Sequence, residues 1–96
     1  GLTSTEIKDI VEAAFTGRVK FLFVARGIQQ WGQFNVTDHR VTLHEQAQPG
    51  DQDLLDLAAY HTLLNSGTIF VKDPADIPDG KPIAAVFHYW SPSRQI

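Results

Sequence analysis

The sequence predicts an α/β domain, with helices layered on a mixed β-sheet. Three observations carry that expectation. Two segments place apolar residues at helical spacing, and about five others are short, β-prone and bounded by turn residues. Helix and strand signals alternate along the chain instead of falling in separate blocks, as expected of a layered sandwich. The 96 residues suffice for one domain, taken as 1–96 with residues 90–96 as a tail.

The first helix is expected to begin at Thr3-Ser4-Thr5-Glu6. Thr3 or Ser4 can cap, and Glu6 lies three residues after Thr3, as in a capping box. Ile7, Ile10, Val11, Ala14 and Phe15 form one apolar stripe, and Gly17 is the stop. Residues 19–25, VKFLFVA, are almost continuously apolar and read as a central strand covered on both faces, with Lys20 near its start able to reach water. From Gln29 to Val36 the pattern alternates. Gln30, Gly32, Phe34 and Val36 share one face, and Gln29, Trp31, Gln33 and Asn35 share the other. Residues 37–40 read as a turn and 41–45 as the returning strand, which makes an antiparallel hairpin.

Pro49-Gly50 marks the next turn. Asp51 is expected to open the second helix, with Asp51 and Asp53 in the first turn, where carboxylates suit the helix dipole. Leu54, Leu55, Leu57, Ala58, Leu63 and Leu64 wrap much of its circumference, so it is expected to be deeply buried, with Gly67 ending it. TIFVK (68–72) reads as a buried strand, 73–82 as a long turn with a helical turn after Pro74, and 83–89 as the last strand. The connection between those strands is short for a parallel crossover.

Composition removes several function classes. Without Cys there is no disulfide framework, thiolate zinc site or cysteine nucleophile. The net charge of −3 argues against tight duplex binding. No Lys or Arg falls between Arg40 and Lys72, while Glu45, Asp51, Asp53 and Asp56 do, so that window builds an acidic face. No apolar run approaches a membrane span, no signal peptide is visible, and the cytoplasm is the expected location. The absence of Met points to an excised piece of a larger protein.

Few residues offer chemistry. His39, His44, His61 and His88 fall on separate segments with no metal spacing, so no metal, cofactor or catalytic residue is assigned. Asp51, Asp53 and Asp56 do not match a calcium loop and are better explained as cap, dipole partner and solvated face. There is no nucleophile elbow and no phosphate-cradling glycine loop. GIQQWGQF (27–34) is the most unusual stretch. Gln29, Trp31 and Gln33 could form an exposed protein anchor, Trp31 could stack on an unpaired base, or Trp31 could cover the sheet beneath a helix.

The order of several segments carries a resemblance. GRVKFLFVARG (17–27) is followed by WGQF (31–34), VTLH (41–44), QPGDQDLLDLAA (48–59), TLLNSGT (62–68) and AAVFHY (84–89). Together they resemble the C-terminal domain of the bacterial relatives of the archaeal and eukaryotic class I peptide-chain release factors, over most of the chain. The resemblance implies a three-layer α/β/α sandwich around a mixed sheet, shared with ribosomal proteins that bind kink-turn RNA. It implies further domains before residue 1, and a docking role toward a translational GTPase or ribosomal elements. This chain has no Gly-Gly-Gln loop, so no hydrolytic residue carries over. Kink-turn binders start the equivalent helix with basic and Asn residues, whereas here the segment is Pro-Gly-Asp-Gln-Asp.

Three readings follow. The first is a non-enzymatic docking domain of a release-factor-like translation protein. The second is an RNA-binding module, which needs Arg18, Lys20, Arg26 and Arg40 on one surface. The third is a small-molecule site, which needs His44, His61 or His88 in a pocket with an acidic neighbour.

Overall fold

Val19–Ala25 is the organising strand of the computed structural model, which describes residues 2–88. The chain runs β1 (Thr3–Ser4), α1 (Ile7–Phe15), β2 (Val19–Ala25), β3 (Trp31–Asn35), β4 (Arg40–His44), β5 (Gln52–Asp53), α2 (Leu54–Leu64), β6 (Thr68–Lys72) and β7 (Ile83–Phe87). Short 3₁₀ turns at Pro74–Asp76 and Pro78–Gly80 precede β7. The result is a mixed α/β domain with two helices and two sheets. The four-stranded sheet has the order β1-β7-β2-β6, and the three-stranded sheet has the order β4-β3-β5.

The five expected strands therefore divide between two sheets instead of joining one. β2 pairs in parallel with β6 and antiparallel with β7, which resolves the short connection between 72 and 83. β7 crosses to the far side of β2, so the turn need not perform a parallel crossover. Its backbone shows the helical turn expected after Pro74, as the first of the two 3₁₀ turns. The tail at 90–96 and Tyr89 of the expected last strand lie outside the described residues.

The main core lies between the helices and the larger sheet. Ile10, Val11 and Ala14 of α1 and Leu54 and Ala58 of α2 pack with Leu22 of β2 and Ile83 and Ala85 of β7. Val41 of β4 joins the same cluster, with Phe34 of β3 against it, so the small sheet closes the other side of the helices. Fully burying one such side chain contributes about 2 kcal/mol. Among the described residues the opposite face of the larger sheet is only thinly covered. Ala25, Ala84 and Ile77 form a small second cluster there, with Phe23 packed against it. β2 is thus central within its sheet, but the expected cover on both faces is incomplete.

Four expectations need correction. Thr3 and Ser4 do not cap α1. They pair with Val86 and Ala85 as the edge strand β1, and Glu6 is the N-cap without a side-chain cap bond. β-branched Thr3 beside an open β7 edge favours extension over capping. α2 begins at Leu54 and not at Asp51. Asp53 is its N-cap, its carboxylate accepting the Leu55 N–H at 3.1 Å, while Asp51 is engaged by the preceding loop. α2 is not buried all round, because Tyr60, Leu63 and Leu64 are exposed. β6 is an exposed edge strand and not a buried one, with Ile69 alone half-buried.

Candidate functional site

Alternation along β3 fixes which side chains the small sheet displays. Gly32 and Phe34 face the helices, with Gly32 so close to β4 and α2 that a Cβ there would lie 2.9 Å from Leu54 Cδ1. Trp31, Gln33 and Asn35 take the outer face, as the sequence pattern implies. Trp31 pairs in register with His44 on one side and Asp53 on the other, and Gln33 with Thr42. Trp31 is half-buried, whereas Gln29 and Gln33 are exposed. Both helices lie on the inner side, so Trp31 does not sit beneath a helix.

Hydrogen bonds hold this face in place. The Asp53 carboxylate accepts the Gln30 N–H at 3.0 Å while capping α2, and the Leu54 N–H donates to the Gln30 carbonyl at 2.8 Å. Gln30 Nε2 donates to the carbonyls of Trp31 (3.1 Å) and His44 (3.2 Å). Both ends of β3 are also anchored: at the hairpin tip, the Asn35 side chain accepts the Thr37 N–H at 2.8 Å. His39 takes a left-handed backbone there (φ 59°), and its Nδ1 lies 3.2 Å from Glu12 of α1.

Asp51 is the electrostatic centre of the site. Its side chain is fully enclosed, and His44 Nδ1 lies 2.7 Å from Oδ2. Gln33 Nε2 donates to Oδ1 at 3.1 Å, and the Gln48 N–H donates to Oδ2 at 3.1 Å. Burial alone would raise the Asp51 pKa, but the donors from His44, Gln48 and Gln33 hold it below its ordinary value. This carboxylate closes the loop from 45 to 51 onto β3. Its bond to Gln33 gives that residue a positioning task as well as an exposed surface.

Next to the dyad lies a groove of about 340 Å³ lined by Gln29, Gln30, Leu43, His44 and Glu45. It brings His44 together with acidic neighbours. His61 instead packs edge-on against Phe15, ring centroids 5.2 Å apart, and burial lowers its pKa. His88 is exposed, its N–H bonded to the Arg18 carbonyl. The three histidines do not share this groove. Among the described residues no group of His, Asp and Glu side chains gathers as a metal site.

The basic residues do not converge either. Arg18 and Arg26 flank opposite ends of β2, about 25 Å apart along an extended strand. Arg18 lies 3.7 Å from Glu12, Arg26 pairs with Asp73, and Arg40 lies 3.9 Å from Asp38. Lys20 Nζ sits 5.3 Å from the Phe21 ring centroid. Each of these arginines already faces a carboxylate.

Sequence reasoning singled out Gln29, Trp31 and Gln33 and missed Gln30, His44 and Asp51 as their supports. One signal was present: Asp51 follows Pro49-Gly50, and that turn aims its carboxylate back at the hairpin rather than into the helix. No helix of the described residues is long and apolar enough to cross a membrane. No protein-family model matches the sequence, and no curated protein matches it.

Proposed function

We propose that this chain is a non-catalytic docking domain of a release-factor-like translation protein of the cytoplasm, and that the outer face of its small sheet meets a protein partner. The partner class is a translational GTPase or a ribosomal element. The observation that carries the reading is Trp31, held half-exposed on a sheet whose backbone and neighbours are already pinned. A rigid aromatic beside adaptable amides makes an efficient anchor, because little side-chain freedom is lost on contact. Gln29 and Gln33 flank it with polar groups suited to a wet rim.

The three-layer arrangement belongs to the same proposal. The larger sheet and the two helices supply two of its layers, the small sheet closes the far side of the helices, and among the described residues no α-helix covers the face bearing Phe21, Phe23 and Phe70. Placement of the basic residues favours protein over RNA. A phosphate backbone would meet arginines already paired and a helix start bearing Asp53 and Asp56.

The test is co-sedimentation of the parent protein with ribosomes and with a translational GTPase. Trp31→Ala should weaken association about tenfold, near 1.4 kcal/mol, with an unchanged circular dichroism spectrum. Unchanged association after deletion of the whole domain would sink the reading. Filter binding to structured RNA at low salt, if tight, would replace it with the RNA module.

A further inference from the structure

The two edges of the larger sheet differ. At one end β1 is only two residues long, a short edge that offers little to a neighbouring strand. At the other, β6 runs five residues in unbroken register with β2, and has no Pro, no bulge and no charge before Lys72. Natural sheets normally blunt such an edge with these devices. β6 has one pairing neighbour among the described residues, which is β2.

Apolar side chains flank the open edge on both faces. On the helix side, Ala59 lines a groove with Val71, and Leu63 follows Ala59 by one turn on the same flank of α2. On the other side, Phe70 stacks on Phe23, centroids 5.1 Å apart, and meets Phe21 at 6.0 Å. Leu63 is 63% exposed, Tyr60 58%, Val71 53% and Phe70 38%.

We propose that β6 pairs antiparallel with β6 of a second copy of this chain about a two-fold axis at Phe70, joining two four-stranded sheets into one. The backbone fixes the register. The Lys72 carbonyl accepts from the Arg26 N–H, so Lys72 points its peptide groups at β2, and Phe70, two residues earlier, does the same. The N–H and C=O of Ile69 and Val71 therefore face the open edge. With Phe70 opposite the partner's Phe70, Ile69 exchanges both bonds with the partner's Val71, and Val71 with the partner's Ile69. Thr68 then faces the partner's Lys72, so no like charges oppose each other.

A second copy suits this edge better than a foreign strand. Each copy supplies what the other lacks, since Leu63 and Tyr60 meet their own counterparts on one face and Phe70 meets Phe70 on the other. Complete burial of the exposed parts of Leu63, Tyr60, Val71 and Phe70 with the strand edge sets an upper limit of about 500 Å² per copy and about 1,000 Å² in total, at the threshold for a specific interface. The contact is isologous, so it closes at two copies and does not propagate.

The chain has no Cys, which makes the test clean. Sedimentation equilibrium should give twice the 10.7 kDa of the chain, with dissociation on dilution. Val71→Lys should shift the mass to that of one copy while leaving the far-ultraviolet spectrum unchanged. Phe70→Cys places two thiols opposite each other at about 4.5–5.5 Å between Cα atoms, within disulfide reach, and mild oxidation should cross-link it. Thr42→Cys on the small sheet should not cross-link. A single-copy mass at roughly 1 mM chain overturns the proposal. So does a dimer that survives Val71→Lys and whose Phe70→Cys form does not cross-link. Recovery of β6 paired only with a different protein's strand overturns it as well.

Discussion

The outer face of the small sheet carries Trp31 among polar groups that have partners, Gln33 on Asp51 and Asp53 on two N–H groups, while Gln30 at the start of β3 bonds two carbonyls. The outer face of the larger sheet carries Phe21 and Phe23, each against Phe70, and among the described residues the 3₁₀ turns with Ile77 are its cover. The first arrangement fixes geometry but contributes modest net stability, since each hydrogen bond replaces one to water. The second holds unrealised hydrophobic energy. One face is thus prepared to present a defined shape, and the other gains most by being covered.

The largest test of this contrast asks whether the two regions are thermodynamically separate. Leu22 is fully buried in the cluster that also holds Val41 of the small sheet. Leu22→Ala should cost about 3 kcal/mol. Urea transitions followed by Trp fluorescence and by far-ultraviolet circular dichroism should stay coincident, because one cluster spans both sheets. Separated transitions would show two units.

A smaller, selective effect is expected at Gly32. A Cβ there would drive into the Thr42 carbonyl as well as Leu54, and a backbone atom cannot step aside as a side chain can. Gly32→Ala should cost about 2 kcal/mol. Hydrogen exchange should quicken in β3 and β4 before β2 and β7.

Acid titration separates two further contributions. The His61 pKa is lowered by burial, so the unfolded chain takes the proton first. Its contribution is complete above pH 6.5 and declines as pH falls from there to the folded value. Asp51 is held low by its donors, so its contribution is complete above pH 3.8 and declines below. Thermal midpoints between about pH 8 and pH 2 should therefore fall in two steps. His61→Gln should flatten the upper step and Asp51→Asn the lower one. The smallest effect belongs to Arg40→Ala. That exposed pair with Asp38 at 3.9 Å should change the urea midpoint by about 0.5 kcal/mol or less.

Local structure was legible where one physical cue dominates. β2 matches the expected 19–25, and the outward placement of Trp31, Gln33 and Asn35 follows from alternation alone. The misreadings share a cause. Thr3 and Ser4 carry a sound capping pattern, yet the open edge of β7, distant in sequence, offers backbone bonds that capping does not. Asp51 has the composition of a helix start, but His44 and Gln33 claim its carboxylate. Leu63, Leu64 and TIFVK look like core by composition. Whether such residues are covered depends on sheet order, which periodicity does not encode. The site residues Gln29, Trp31 and Gln33 were visible as an odd cluster, while their support arises only when residues 30, 44 and 51 meet in space.

The parallel pairing of β2 with β6 has a kinetic consequence. Arg26 and Asp73, at the ends of those strands, are 47 residues apart, and the whole small sheet and α2 lie between them. The β3–β4 hairpin closes locally, on a timescale of about 1–10 μs, whereas the parallel pair must wait for a long loop to close. The same loop is entropically forgiving, since doubling its length would cost only about 0.6 kcal/mol. Added length at exposed tip positions such as Thr37 and Asp38 should therefore carry little penalty for the larger sheet. That freedom lets the displayed face diverge while the framework beneath it stays the same.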